Sequence, residues 1–133
     1  MKYSPKQIEK YQRQKYIAQL EKIGKNLFRL LRNPETRPEE LLARFDELME
    51  KLDTMEAIRL DSEYLRESEA HYRRLHEEWH ASAFDAQRLE EIREAEMSDL
   101  NRLQKMKNRS SYRKDKHRKH AQRDGWETTY STK

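Results

Sequence analysis

The stretch NPETRPEE, residues 33–40, decides the fold because it ends one helix and begins the next. Pro34 disfavours helical geometry at the residue before it, so the preceding helix should stop at Asn33. Thr36 then supplies a cap for a new helix, with Glu39 at the capping-box position three residues later. A connection this short joins antiparallel neighbours. The stretch therefore predicts an antiparallel helical hairpin.

The two arms of this hairpin carry matching apolar seams. Helix 1 should begin at Ser4, which caps it, with Pro5 at the first helical position and Gln7 returning a bond to the cap. In both helices the apolar residues recur at alternating spacings of four and three, a seam narrow enough for coiled-coil-like packing. These residues are Tyr16, Leu20, Ile23, Leu27 and Leu30 in helix 1, and Leu41, Phe45, Leu48, Leu52 and Met55 in helix 2.

A third and longer helix is predicted after the hairpin. Asp61 or Ser62 offers its cap, and we expect it to run from about Ser62 to about Lys107. One heptad phase joins its apolar residues, which are Leu65, Tyr72, Leu75, Trp79, Ala86, Leu89, Leu100 and Leu103. A break at 82–85, where SAFD resembles a cap, would give four helices instead of three. The predicted fold is all-α, an elongated coiled-coil-like bundle over residues 1–108 with a basic C-terminal extension over 109–133.

Composition excludes several classes of protein. The chain has no valine and only two glycines and three prolines, so it lacks the usual strand residues and hairpin turns. Without cysteine it has no disulfide framework, no thiolate metal site and no cysteine nucleophile. No apolar stretch approaches the length of a membrane span, and the N-terminus has no secretory apolar region. We expect a soluble cytoplasmic protein.

Charge is arranged in blocks along the chain. Residues 33–104 carry 20 acidic and 10 basic side chains, whereas residues 105–123 carry nine Lys or Arg and one acid. Cations at this density suit phosphate, because each one that neutralises a phosphate releases condensed counterions. A tyrosine among them could stack on an exposed base. The predicted nucleic-acid-binding residues are Lys105, Lys107, Arg109, Tyr112, Arg113, Lys114, Lys116, Arg118, Lys119 and Arg123.

These features predict a non-enzymatic, nucleic-acid-binding accessory subunit of a nucleoprotein assembly, with the basic helix 1 extending the surface. The expected partners are RNA or DNA, together with a protein partner or a second copy of the chain. We expect no membrane, no small-molecule substrate and no cofactor. The alternative is a chaperone-like or scaffold-like coiled-coil interaction module whose basic tail docks an acidic protein. A tail that only keeps the coiled coil soluble is a third interpretation, since charge alone does not separate the three.

Residues 76–80, HEEWH, match the motif H-E-x-x-H, in which two histidines one turn apart bind zinc and the glutamate activates its water. A catalytic zinc needs a third protein ligand, and the Gly and His that continue the metzincin motif are missing here. A downstream Glu90, Glu94 or Glu96 could serve, but glutamate is too common in this chain to be distinctive. We therefore predict no metal and no catalytic residue, and adventitious zinc binding by the histidine pair, without catalysis, is the alternative. Both histidines should lie half buried beside the apolar seam, satisfied by neighbouring carboxylates.

Overall fold

A computed structural model describes residues 4–109, and all regular structure in this range is helical. The four helices are α1 (Pro5–Arg32), α2 (Pro38–Asp53), α3 (Glu63–Ala81) and α4 (Ala86–Arg109). The all-α prediction is confirmed. None of these helices is both long and apolar enough to cross a membrane. The basic extension predicted for 109–133 lies outside the described residues, apart from the last residue of α4.

The start of α1 follows its predicted capping box. The Gln7 backbone N–H donates to the Ser4 hydroxyl at 3.2 Å, and the Ser4 backbone N–H donates to Gln7 Oε1 at 2.9 Å. Pro5 occupies the first turn, where its missing N–H leaves no bond unmade. At the other end Asn33 is the C-cap, in extended geometry before Pro34. Both predicted ends of this helix are confirmed.

The first two helices pack antiparallel. Gln19 Nε2 in α1 donates to the Leu48 carbonyl in α2 at 3.0 Å, and this contact is buried. Closer to the hairpin turn, Arg44 Nε donates to Asn26 Oδ1 at 3.4 Å. Every predicted seam residue of the two helices is buried, except Met55. Met55 lies beyond the end of α2 at Asp53, contrary to the prediction, and is partly buried.

The second helix begins one residue later than predicted. Its N-cap is Arg37 instead of Thr36, and the Arg37 backbone N–H donates to Glu40 Oε1 at 3.4 Å. The reason is Pro38, which excludes helical geometry from the residue before it and itself prefers the first helical position. The rule that ends α1 at Asn33 therefore also fixes the start of α2.

The prediction of one continuous third helix is wrong. Ser82 is fully extended, with φ −151° and ψ 178°, and α3 ends there. Asp85 Oδ1 then accepts the backbone N–H of Arg88 at 2.9 Å, which caps the start of α4. The Phe84 ring stacks on the Trp79 ring, with the centroids 5.0 Å apart, and holds the turn against the core.

This break has a simple physical cause. A single helix over 62–107 would be about 69 Å long, far beyond the roughly 42 Å of α1. Its second half would then have no neighbour on which to bury its apolar residues. Folding back at 82–85 buries Leu89, Leu100 and Leu103 in the same core as α1 and α3. Ala86, on the same predicted seam, is exposed at the turn.

The result is an up-down-up-down bundle in which α1 and α3 also touch across the diagonal. The Tyr16 hydroxyl donates to Glu69 Oε2, and Arg73 donates to the same hydroxyl at 3.3 Å and to Asp53 Oδ1 at 2.9 Å. Further along, the two helices come so close that a Cβ on Gly24 would lie 2.5 Å from Tyr72 Oη. Gly24 thus sits inside a helix because only a bare backbone fits beneath that hydroxyl.

Candidate functional site

The two histidines of HEEWH meet a carboxylate from another helix. His76 Nε2 lies 2.7 Å from Asp46 Oδ1, and His80 Nε2 lies 2.5 Å from the same oxygen. The four-residue spacing puts both imidazoles on one face of α3, and the antiparallel α2 presents Asp46 to that face. The expectation that a carboxylate satisfies both histidines is confirmed. His76, at 30% exposed, is half-buried as expected, whereas His80, at 45%, is exposed because it lies near the end of α3.

Aromatic side chains form the inner wall of this cluster. The buried Phe45 ring meets the His76 ring edge-on with centroids 5.0 Å apart, and meets the Trp79 ring in the same way at 5.3 Å. The rings of His76 and His80 are also edge-to-face, at 4.8 Å. Because Asp46 follows Phe45 directly, the packing of that ring fixes where the carboxylate can reach. The cluster is thus held from the inside and open to solvent on its outer side.

The electrostatics of the cluster favour an ionised carboxylate. Partial burial raises the pKa of Asp46, but its hydrogen bonds with His80 and His76 outweigh burial and hold that pKa below its usual range. Two imidazole nitrogens and one carboxylate oxygen therefore point at one place, with all three ligand atoms within 4.8 Å of one another. This is a donor set that a divalent transition metal accepts.

Asp46 is the residue that the sequence argument missed. It lies 30 residues before His76, whereas the candidate third ligands Glu90, Glu94 and Glu96 all lie after the motif. Of the downstream candidates, Glu96 pairs with His71 and Glu90 pairs with Arg93 instead. The signal that could have found Asp46 is its place directly after Phe45, since antiparallel seams bring that residue opposite the motif.

A second histidine cluster is buried between α3 and α4. His71 Nε2 lies 3.1 Å from Glu96 Oε2, and Arg74 Nη2 lies 2.9 Å from His71 Nδ1. A guanidinium can only donate, so Nδ1 accepts and the Nε2–H donates to Glu96. Asp99 is close enough to complete a possible ligand set with these two. However, one ring nitrogen of His71 accepts from Arg74 and the other donates to Glu96, so His71 links α3 to α4 by a hydrogen bond.

Of the predicted nucleic-acid-binding residues, only the first three lie in the described part of the chain. Lys105 is exposed on α4, Lys107 is half-buried, and Arg109 ends the helix. The structure therefore brings these three onto one helix and does not test the others. The residues outside the described range are Tyr112, Arg113, Lys114, Lys116, Arg118, Lys119 and Arg123.

A groove between α1 and α4 joins the two basic segments of the sequence. Its volume is about 240 Å³, and Lys25 from α1 and Lys107 from α4 both line it. The groove also contains the carboxylate of Glu21, so its rim is mixed in charge. Its aromatic lining comes from Phe28, Tyr64 and Tyr72. The antiparallel arrangement means that α4 runs toward the Lys-rich start of α1.

Comparison with known proteins supplies no relative. The chain matches no protein-family model, no curated protein sequence and no solved structure.

Proposed function

We propose that the protein is a non-enzymatic, nucleic-acid-binding accessory subunit of a cytoplasmic nucleoprotein assembly. The observation that supports this proposal is the groove lined both by Lys107, one of the first cations of the basic segment 105–123, and by Lys25 of α1. Two basic segments that are far apart in the sequence thereby meet on one side of the bundle. A phosphate backbone is bound by several cations together, because its affinity is a sum over the phosphates that they neutralise.

The charge on α1 extends this surface beyond the end of α4. Lys6, Lys15 and Lys22 are exposed, and Lys10 is half-buried. Residues 1–32 contain nine Lys or Arg against two acids, so the helix keeps a strong positive balance even with Glu21 in the groove. A nucleic acid bound to segment 105–123 would therefore meet further cations on α1 and little repulsion.

An exposed aromatic ring on α1 suits a nucleic acid with unpaired bases. Tyr11 is 64% exposed, and Lys15 Nζ lies 5.9 Å from its ring centroid. A ring with a cation beside it offers a stacking surface next to a phosphate contact, and base stacking tolerates any sequence. Tyr64 and Tyr72 in the groove are buried and cannot serve in this way. Single-stranded RNA or DNA is the expected form of the ligand.

Titrations at several salt concentrations test the proposal. Labelled single- and double-stranded RNA and DNA are bound to the full chain and to two variants that each lose three charges by substitution with Gln. The test variant changes Lys116, Arg118 and Lys119, and the matched control changes the exposed cations Arg37, Lys51 and Arg59. For duplex DNA, the slope of log affinity against log salt should fall by about 3 in the test variant and stay unchanged in the control.

Two results would contradict the proposal. The first is the absence of salt-dependent binding to every probe at micromolar protein, and this would favour the interaction module that docks an acidic protein. The second is equal weakening by the test and control variants, because it would mean that net charge acts from any surface. A separate variant, Lys22→Gln with Lys25→Gln, measures the part played by α1. Its expected effect is a smaller fall of the slope, by about 2.

A further inference from the structure

We propose that Asp46, His76 and His80 form a binding site for one divalent transition-metal ion, with zinc as the preferred ion. The site is separate from the proposed nucleic-acid surface, because none of its three residues lines the groove. Residues of α1 and α4 line that groove together with Tyr64 and Tyr72 of α3. Each proposal can therefore fail without the other.

The distances in the cluster are close to those of a ligand set. Around a tetrahedral zinc with bonds of about 2.0–2.2 Å, neighbouring donor atoms lie roughly 3.3–3.5 Å apart. Here Asp46 Oδ1 lies 2.7 Å from His76 Nε2 and 2.5 Å from His80 Nε2. An ion that replaces the hydrogens in these two contacts needs the donor atoms to separate by less than about 1 Å. His80 and Asp46 are 45% and 41% exposed, so both side chains have room to make this adjustment.

The kind of donor selects the kind of ion. Two imidazoles with one carboxylate suit zinc and its first-row neighbours, whereas magnesium and calcium prefer sets made only of oxygens. Three protein ligands leave at least one position for water. The rings of Phe45 and Trp79 close the inner side, so this open position faces solvent.

Bound metal would tie two helices together. Two ligands come from one turn of α3 and the third from α2, so the ion closes a cross-link that exists only in the folded chain. Binding to the folded state alone raises stability by mass action, and a concentration of 100 times the Kd adds about 2.7 kcal/mol. Because protons compete for the imidazole nitrogens, binding should weaken as the pH is lowered.

The test uses the full chain without a histidine tag and Zn²⁺ as the probe. Calorimetric titration should give one zinc per chain, and thermal unfolding should shift to higher temperature with zinc. Asp46→Asn is the decisive variant, since its amide oxygen can still accept a hydrogen bond from each histidine but is a poor metal ligand. Changing a residue that only hydrogen-bonds to a metal ligand already weakens affinity by about 10–100-fold, so losing this ligand should weaken zinc binding at least about tenfold.

Two further variants keep the test independent of folding. His80→Gln changes the more exposed ligand and should also weaken binding, with helix content unchanged by circular dichroism. The matched control is His117→Gln with His120→Gln, a histidine pair in the basic segment, and it should bind zinc as the unaltered chain does. Co²⁺ should give a visible absorption band in the unaltered chain that His80→Gln lacks.

Three outcomes would overturn the proposal. One is that the full chain binds no zinc at a zinc concentration about 100 times a micromolar Kd, because a site with that Kd would then be saturated. Another is undiminished zinc affinity in both Asp46→Asn and His80→Gln. The third is loss of binding in the His117 and His120 control, which would place the ion in the basic segment.

Discussion

Replacing Gly24 with alanine should destabilise the bundle, although alanine is the better helix former. Inside a helix the change from glycine to alanine ordinarily gains about 1 kcal/mol. Here the new Cβ would lie 2.5 Å from Tyr72 Oη, where ordinary contact begins at 3.4 Å, so the helix or the ring must shift by about 0.9 Å. Tyr72 is only 3% exposed, and overpacking a core costs about 1–3 kcal/mol. The net loss should be about 0–2 kcal/mol.

A second variant reverses the sign of this effect. Tyr72→Phe removes the hydroxyl, and the next atom, Cζ, lies at 3.5 Å, which is ordinary contact. In that background Gly24→Ala should stabilise the chain by about 1 kcal/mol and raise the Tm by about 3–5 °C. Urea denaturation of the four chains, followed by circular dichroism, gives the coupling energy directly. If Gly24→Ala changes stability equally in both backgrounds, the close approach of α1 and α3 at this point is refuted.

Three other changes test the cap of α4 and two contacts between helices. Asp85→Ala removes the acceptor of the Arg88 backbone N–H and should lower the free energy of unfolding, measured by urea denaturation, by about 1 kcal/mol. Asp85→Asn keeps an acceptor and should lower it by only about a few tenths of a kcal/mol. Equal losses in the two variants would exclude a cap. Glu96→Ala leaves the Nε2–H of His71 buried and unpaired, which should lower the free energy of unfolding by about 1–3 kcal/mol. Adding His71→Leu should recover much of that loss. A purely additive effect of the two changes would argue against the pair. Burial and a hydrogen bond with a carboxylate raise the pKa of Tyr16 from 10.0 to about 12, so its stabilisation is complete below pH 10 and is lost as the pH rises through 12. The difference in unfolding free energy between the unaltered chain and Tyr16→Phe should shrink across this window, and a constant difference would contradict the assignment.

The parts of the fold that sequence predicts well are set by local chemistry. Ser4, Pro5 and Gln7 form their capping box within one turn, and Pro34 ends α1 through a clash with its own neighbour. The one-residue error at the start of α2 is also local, because Pro38 acts on Arg37 in the same way. Such signals do not depend on what the rest of the chain does.

The parts that sequence predicts poorly depend on which helix lies opposite. A heptad phase that is kept from Leu65 to Leu103 is compatible with one long helix or with two that fold back, and the length of α1 and α2 decides between them. Asp46 looks like any surface acid until α2 and α3 are paired in register, with Phe45 against Trp79. The binding hypothesis for residues 105–123 rests on charge density, which predicts the sign of the partner's charge and little about the partner's shape.

The turn at 82–85 also sets the order in which the bundle can assemble. Each helix packs against the one before it in sequence, so three of the interfaces close short loops. The interfaces of α1 with α3 and with α4 are different. The Tyr16 hydroxyl donates to Glu69, 53 residues away, and Arg93 donates to the carbonyl of Leu31, 62 residues away. Closing a longer loop loses more chain entropy, and contacts between distant residues slow folding. We therefore expect these two interfaces to form after the three short-loop ones, so the groove that α1, α3 and α4 line is completed late in folding.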